Sequence, residues 1–342
     1  MTKKQTKRIL RIVLAVGTII SLYFVPWIVV WAWILPLPNT VQEQVDQTMD
    51  YGFDGMIVYV DEAGQPPAFY AAGWHDRKNK IPADPHALFK IASISKLYDV
   101  VAVTKLVHEG RLSLDKTLAD YFPEFAGRIE NADKITLKMM VQHRSGIPNF
   151  TDTPNFWTHP PKNSQETLER ILDLPANFAP GEDYEYSNTN YLLISELIKK
   201  VTGHGKHQYL KEEVLDPLGL NNTFASITEV NMDRLMSGYY VGVEEDIKTV
   251  DYGSMIATAE DVGIFLRALN DGSLFERGEQ ETYSELYKYE HTGLIPGYQS
   301  IAKYHKDLDT VVIQFVNTVD FEGYTWPLSE ISYSRIIKIL KR

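Results

Sequence analysis

The stretch Phe89-Lys90-Ile91-Ala92-Ser93-Ile94-Ser95-Lys96-Leu97-Tyr98 sets a serine and a lysine three residues apart. On a helix that spacing puts both on one face, a hydroxyl beside an amine. Apolar residues follow at Val100, Val101, Val103, Leu106 and Val107, so Leu97 to Val107 predicts a helix with one buried side. Ser93 then falls in its first turn, where unpaired N–H groups and the positive dipole end favour an oxyanion. The arrangement suits acyl transfer through a serine. Alone, Ser-x-x-Lys is common, and an ordinary helix start with a capping serine and a solvated lysine is the usual explanation.

Two more elements change that balance. Tyr186-Ser187-Asn188 follows Pro180-Gly181 and precedes the helical run Tyr191 to Val201, which puts a phenol and an amide on a loop at a helix start. His291-Thr292-Gly293 precedes Pro296-Gly297 and an alternating segment, Tyr298 to His305, that reads as a strand. Serine plus lysine, Tyr-x-Asn, and a basic residue with Thr-Gly on an edge strand resemble the three-part signature of the active-site serine penicillin-recognising enzymes. Leu106-Val-His-Glu-Gly-Arg-Leu-Ser-Leu-Asp115, Ile135-Thr-Leu with His143-Arg-Ser-Gly-Ile-Pro148, Asp216-Pro-Leu-Gly-Leu220 and Gly253-Ser-Met-Ile-Ala-Thr-Ala-Glu-Asp261 resemble the same family. They are similar to its class C β-lactamase-like branch, with D-alanyl-D-alanine carboxypeptidases, D-amino-acid peptidases and esterases. The resemblance runs from about Asp54 to Ile339.

It implies Ser93 as the nucleophile. A neutral hydroxyl needs a neighbour to take its proton, and Lys96 and Tyr186 are the candidates, since an ammonium beside a phenol favours the phenolate. Asn188 is expected to hydrogen-bond Lys96 and the substrate's amide oxygen. His291 stands where many relatives carry lysine; imidazole can donate or shuttle a proton where ammonium is only a charge, which weakens the case for a β-lactamase. With Thr292 and Gly293 it forms the third motif, and the N–H of Leu294 is expected to join that of Ser93 as oxyanion donor. Relatives that cleave peptides ending in a free D-alanine carboxylate commonly add a second hydroxyl at the Leu294 position.

Met56 to Val60 and Ala68 to Gly73 read as strands around a turn at Glu62-Ala-Gly-Gln-Pro66, Thr310 to Asn317 as another, and Ser329 to Leu340 as an amphipathic helix. The expected fold is α+β: an antiparallel sheet flanked by helices, of the β-lactamase/transpeptidase type, joining the two ends of the chain. A mostly helical subdomain, about 111–250, is inserted, with the site in the cleft at its boundary.

The N-terminus carries the second strong signal. Lys3, Lys4, Lys7, Arg8 and Arg11 precede an uncharged stretch from Ile12 to Gln42 whose apolar part ends at Leu37. This predicts a basic cytoplasmic segment (1–11), a transmembrane signal anchor (12–37) with the tryptophans Trp27, Trp31 and Trp33 in an interfacial belt, a linker helix (38–52) and the hydrolase domain (53–342). The body would then be extracytoplasmic on a single-pass anchor. A cleaved signal peptide competes, but the tryptophan-rich end lacks a small-x-small site.

Composition narrows the function. The absence of cysteine excludes disulfides and thiolate chemistry, and a net charge of −11 over 342 residues argues against nucleic acid as partner. His204-x-x-His207 has ligand spacing, but Gly203 and Gly205 make it a loop, and no metal or organic cofactor is expected. His143 reads as a loop-holding residue, Glu166 as a first-turn acid and Glu244-Glu245-Asp246 as a solvated loop. The reading is a serine hydrolase acting on small acyl or peptide substrates of the cell envelope, D-alanyl amides or esters. A carboxypeptidase, an esterase or β-lactamase, and a non-catalytic receptor compete; the intact Ser93, Lys96, Tyr186 and His291 tell against the receptor.

Overall fold

The computed structural model describes residues 2–342. Helix α1 (Lys3–Tyr23) and helix α2 (Trp27–Ile34) meet at a bend of 80°. The expected single helix over 12–37 is therefore corrected. Pro26 has no N–H to donate and its ring excludes the preceding turn, so the helix breaks there. Among the described residues no single helix is long and apolar enough to cross a membrane; the bent pair reaches that length and composition only when its two helices are taken together. Thr40 then caps α3 (Val41–Thr48), its hydroxyl accepting the Glu43 N–H while the Glu43 carboxylate accepts the Thr40 N–H.

The sheet is antiparallel and six-stranded, built from β1 (Gly55–Glu62), β2 (Ala68–Asp76), β3 (Ile81–Pro82), β8 (His291–Ile295), β9 (Tyr298–His305) and β10 (Thr310–Val316), in the order β3-β2-β1-β10-β9-β8. The first and last parts of the chain meet in register where β1 pairs with β10, Tyr59 facing Ile313. A smaller sheet, β4 (Phe89–Lys90), β7 (Ile256–Ala257) and β5 (Thr223–Phe224), lies under the serine, and β6 (Tyr239–Tyr240) pairs with β11 (Thr318–Val319). This is the expected α+β architecture with an antiparallel sheet and helices.

Helix α4 (Ser95–His108) carries eleven buried residues and runs through the centre of the main core. Between it and β7 come the helices α5 (Leu118–Tyr121), α6 (Leu137–Val141), α7 (Ser164–Glu169), α8 (Asn188–Thr202), α9 (Lys206–Leu210) and α10 (Asp216–Leu218). α11 (Ala259–Asp271) and α12 (Glu279–Leu286) return the chain to the sheet, and α13 (Thr325–Leu340) closes it. Leu193 and Leu197 of α8 share one continuous apolar cluster with Ile57, Ile313 and Phe315 of the sheet. A second cluster behind the sheet joins α2, α3 and α13 to Met56, Val58 and Val312.

Candidate active site

Ser93 sits one step earlier than its spacing predicted, in a 3₁₀ turn (Ala92–Ile94) that leads into α4. Ala92 holds a left-handed φ of +51°, an unusual conformation for a residue with a Cβ. It is braced from two sides: its N–H donates to Ser254 Oγ at 2.8 Å, and the Ile91 carbonyl accepts from Ser300 Oγ at 3.0 Å. The tight turn keeps the Ser93 side chain partly exposed while its neighbours Ala92, Ile94 and Lys96 are buried. Ser95 points elsewhere, its hydroxyl donating to the Ala92 carbonyl at 2.8 Å.

Three side chains from distant parts of the chain converge on Ser93. The Tyr186 phenol lies 2.8 Å from Ser93 Oγ, and the Lys96 ammonium donates to the same oxygen at 3.2 Å. Lys96 Nζ also donates to Asn188 Oδ1 at 2.8 Å and stands 5.0 Å from the centre of the Tyr186 ring. Lys96 is 6% exposed, so its charge is partitioned among a hydroxyl, an amide oxygen and two aromatic faces. Asn149, which carried no chemistry in the sequence reading, orients the amide: its Oδ1 accepts the Asn188 N–H at 3.0 Å and Nδ2 at 3.3 Å. Asn188 Oδ1 is thereby turned toward Lys96.

His143 brackets the Tyr186 loop. Its carbonyl accepts the Glu185 N–H at 3.0 Å, its Nδ1 accepts the Ser187 N–H at 3.1 Å, and its ring stacks on Tyr186 at 4.4 Å. Burial, with Lys96 and Lys288 nearby, pushes its pKa down to about 3, so the imidazole is neutral. The loop-holding reading of this residue agrees with that geometry.

His291 is 5% exposed and neutral for the same reasons: burial first, then the Lys288 and Lys96 charges, which push it down to about 3. A carbonyl can only accept, so Nδ1 carries the proton and donates to the Thr292 carbonyl at 2.5 Å. Nε2 then accepts from the Tyr287 hydroxyl at 2.9 Å. Both ring nitrogens are engaged, and the position offers no positive charge. Nothing in the sequence pattern marked Tyr287, which lies in an irregular segment four residues upstream.

On β8, Thr292 and Leu294 are half-buried and alternate with the buried His291, Gly293 and Ile295. They share one face, because side chains alternate along a strand. Gly293 is required by proximity: a Cβ there would lie 2.4 Å from Ser300 Oγ, 2.5 Å from the Ile91 carbonyl oxygen and 2.9 Å from Ala92 Cβ. Edge strand β8 thus runs directly against the turn that carries Ser93.

The other sequence candidates fall outside this constellation. His204 is half-buried with its Nδ1 3.4 Å from the Gly205 carbonyl, His207 Nε2 sits 3.8 Å from Glu229, and no group of three or more His, Cys, Asp or Glu side chains among the described residues is placed to hold a metal ion. Glu166 Oε2 accepts the Lys162 N–H at the start of α7. Asp246 departs from the solvated-loop reading: its Oδ1 accepts the N–H groups of Gly238 at 3.1 Å and Lys248 at 2.9 Å, closing a turn. A cavity of about 680 Å³ lined by Arg128, Asp133 and Asp173 contains none of the residues around Ser93.

Comparison with known proteins places the chain among relatives. The family model described as Beta-lactamase matches residues 40–299. Protein flp of Staphylococcus aureus (strain MW2) is 27% identical over 209 residues, which is 59% of this chain and 42% of that protein. A putative D-alanyl-D-alanine carboxypeptidase of Escherichia coli (strain K12) is 27% identical over 202 residues, 54% of this chain and 46% of that protein. The matched stretch thus spans less than half the length of either relative. Among solved structures, the D-amino acid amidase of Ochrobactrum anthropi SV3 complexed with D-phenylalanine superposes with a TM-score of 0.78 at 22% identity, covering 89% of this chain and 98% of that one. The penicillin-binding protein of Bacillus halodurans does so with a TM-score of 0.73 at 20% identity, covering 89% and 100%. At these identities the structural likeness is one of fold.

Proposed function

Because the chain belongs to the beta-lactamase family of serine hydrolases, we propose that it cleaves neutral D-amino-acyl amides or esters through a Ser93 acyl-enzyme. The observation that carries this reading is the Ser93 hydroxyl within 2.8 Å of the Tyr186 phenol and 3.2 Å of the Lys96 ammonium. The Tyr186/Lys96 pair takes the Ser93 proton as Oγ attacks the acyl carbon. The N–H groups of Ser93 and Leu294 receive the oxyanion, and the same pair returns the proton to the departing amine or alcohol. Water then attacks the acyl-enzyme by the reverse route. Asn188 keeps Lys96 in place and aligns the substrate amide, and Thr292 lines the acyl site. The D-amino acid amidase activity named for a structural relative agrees with a substrate of this class.

Preference for a neutral substrate follows from the third motif. His291 is uncharged and Leu294 has no hydrogen-bonding atom beyond its backbone, so a substrate carboxylate here loses solvation on the order of several kcal/mol without a new partner. Each 1.4 kcal/mol is about tenfold in kcat/KM, so classical carboxypeptidase activity is suppressed. The test compares kcat/KM for a D-Ala-D-Ala peptide with that for its methyl ester or amide. The neutral forms should win, and Leu294→Thr should shift the ratio toward the acid. Faster turnover of the free acid by the natural chain would refute the preference and assign the carboxylate to a cation such as Lys288.

His143 acts as a positioning residue for Tyr186. His143→Ala should lower kcat by about 10- to 100-fold with little change in KM, since sub-ångström drift of a proton acceptor costs that much. His143→Asn should recover part of the loss, because its Oδ1 can accept the Ser187 N–H and asparagine tolerates the left-handed φ of +56°. A loss expressed only in KM would show that the bracket does not govern the chemistry.

We further propose that the N-terminal segment holds this body on the outer side of the cytoplasmic membrane. The support is the run of five basic residues before Ile12 and the full exposure of α1, which buries none of its residues. Protease added outside intact spheroplasts should digest the body; a protected full-length body would reverse the orientation.

A further inference from the structure

Helix α2 is fastened to the catalytic body along one side only. Ala32 is fully buried and Val29 half-buried in the cluster that contains Ile336 and Ile339 of α13. Just past its C-terminus Arg335, 3% exposed, donates to the carbonyls of Leu35 at 2.7 Å and Pro36 at 2.8 Å, and to Gln44 Oε1 at 2.6 Å. Those three bonds tie the end of α2 to α13 and α3, so α2 moves with the body. Its opposite side is open: Trp27, Trp31 and Ile34 are 45%, 53% and 57% exposed, and Trp33, on the flank beside α13, is 63% exposed. A contiguous apolar face of this kind marks an interaction surface.

Three features say what covers it. The face continues directly into α1, whose apolar side chains from Ile9 to Tyr23 are exposed along its whole length. It has a cationic rim: Lys338 Nζ stands 5.1 Å over the Trp33 ring and Arg342 follows, donating to the Pro38 carbonyl at 2.9 Å, while Lys341 between them is paired with Asp307 at 2.6 Å. On a chain of net charge −11, a basic edge beside a tryptophan face complements anionic phosphate headgroups. Tryptophan itself prefers the boundary between hydrocarbon and water. Helix α2 is also set apart from the inserted segment, because the 80° bend and the attachment to α13 keep it out of line with α1.

We propose that α2 and the C-terminal end of α13 form a seat that lies flat on an anionic lipid surface, with Trp27, Trp31 and Trp33 at headgroup depth. The inference rests on the membrane reading above and goes beyond it. The active site is held at a set orientation to the bilayer instead of on a flexible tether, so substrates attached to or near the envelope surface meet Ser93 from one side.

The chain contains no cysteine, so single-cysteine variants label cleanly. Full-length Trp31→Cys and Ile34→Cys, carrying an environment-sensitive fluorophore, are mixed with phosphatidylcholine vesicles with and without phosphatidylglycerol. Glu124→Cys, on an exposed turn, serves as control. Emission from positions 31 and 34 should shift to the blue and be quenched by brominated lipid, while position 124 stays unchanged. Adding Lys338→Gln and Arg342→Gln should weaken the contact about fivefold per charge in anionic vesicles only. If the chain floats with the vesicles while positions 31 and 34 remain open to aqueous iodide, the seat is wrong and the anchoring stands. If the chain does not float, both fail. A blue shift without vesicles that grows with protein concentration would assign the face to a second copy and overturn the proposal.

Discussion

Ser93→Ala should abolish covalent labelling by a fluorophosphonate or β-lactam and lower turnover by about 10⁶-fold, with the fold intact. Removal of the nucleophile in a serine hydrolase leaves only the catalysis supplied by binding and oxyanion donors. The neighbouring Ser95→Ala is the matched control. Ser95 is closer still in sequence to Lys96, but its hydroxyl is committed to the Ala92 carbonyl at 2.8 Å. Its removal should cost less than about tenfold, because one hydrogen bond in a turn contributes about 1 kcal/mol. Intact-mass measurement after exposure to the label reads both variants directly. A Ser93→Ala protein that still gains the mass of the label would move the nucleophile elsewhere.

The second large effect is expected from a residue with no functional group. Gly293→Ala adds one methyl where three atoms already lie within 2.9 Å of the ideal Cβ, namely Ser300 Oγ, the Ile91 carbonyl oxygen and Ala92 Cβ. Two of those neighbours belong to the turn that carries Ser93, and neither is a flexible side-chain end. β8 must therefore move away from the turn, taking the Leu294 N–H with it. Loss of one oxyanion donor costs about 10²- to 10³-fold in kcat, and the overpacking costs about 1–3 kcal/mol of stability. The double variant Gly293→Ala/Ser300→Ala removes one of the three contacts and should regain part of the labelling rate. A Gly293→Ala protein that labels at the normal rate with an unchanged Tm would show that β8 does not approach the turn this closely.

What could be read from residues alone was local. Ser93 and Lys96 are three apart, and one helical turn brings them together whatever surrounds it. Tyr298 to His305 alternates cleanly and is a strand over that same range. The runs around Val100 and Leu193 carry the apolar period of buried helices. The family resemblance supplied the partners Tyr186, Asn188 and His291 from motif order, which no local period encodes.

Other features came only from packing. Asn149 acts on Asn188 across 39 residues, and Tyr287 reaches His291 from an irregular segment, so neither leaves a periodic trace. The neutrality of His291 is set by burial and by two lysines in space, whereas its sequence position advertised a titratable base. Gly293 looks like a motif letter until β8 is laid against Ile91 and Ala92. The N-terminal stretch shows the converse. Its uncharged length implied one continuous helix, but Pro26 breaks it and Arg335, some 300 residues later, ties the second piece to the body. Sequence by itself determined the family and most of the regular elements, and it named the residues that the fold gathers around Ser93, because those depend on residue type, motif order and short-range spacing. The tertiary structure alone decided distances, protonation and which apolar face stays open, because these depend on contacts between residues far apart in the chain.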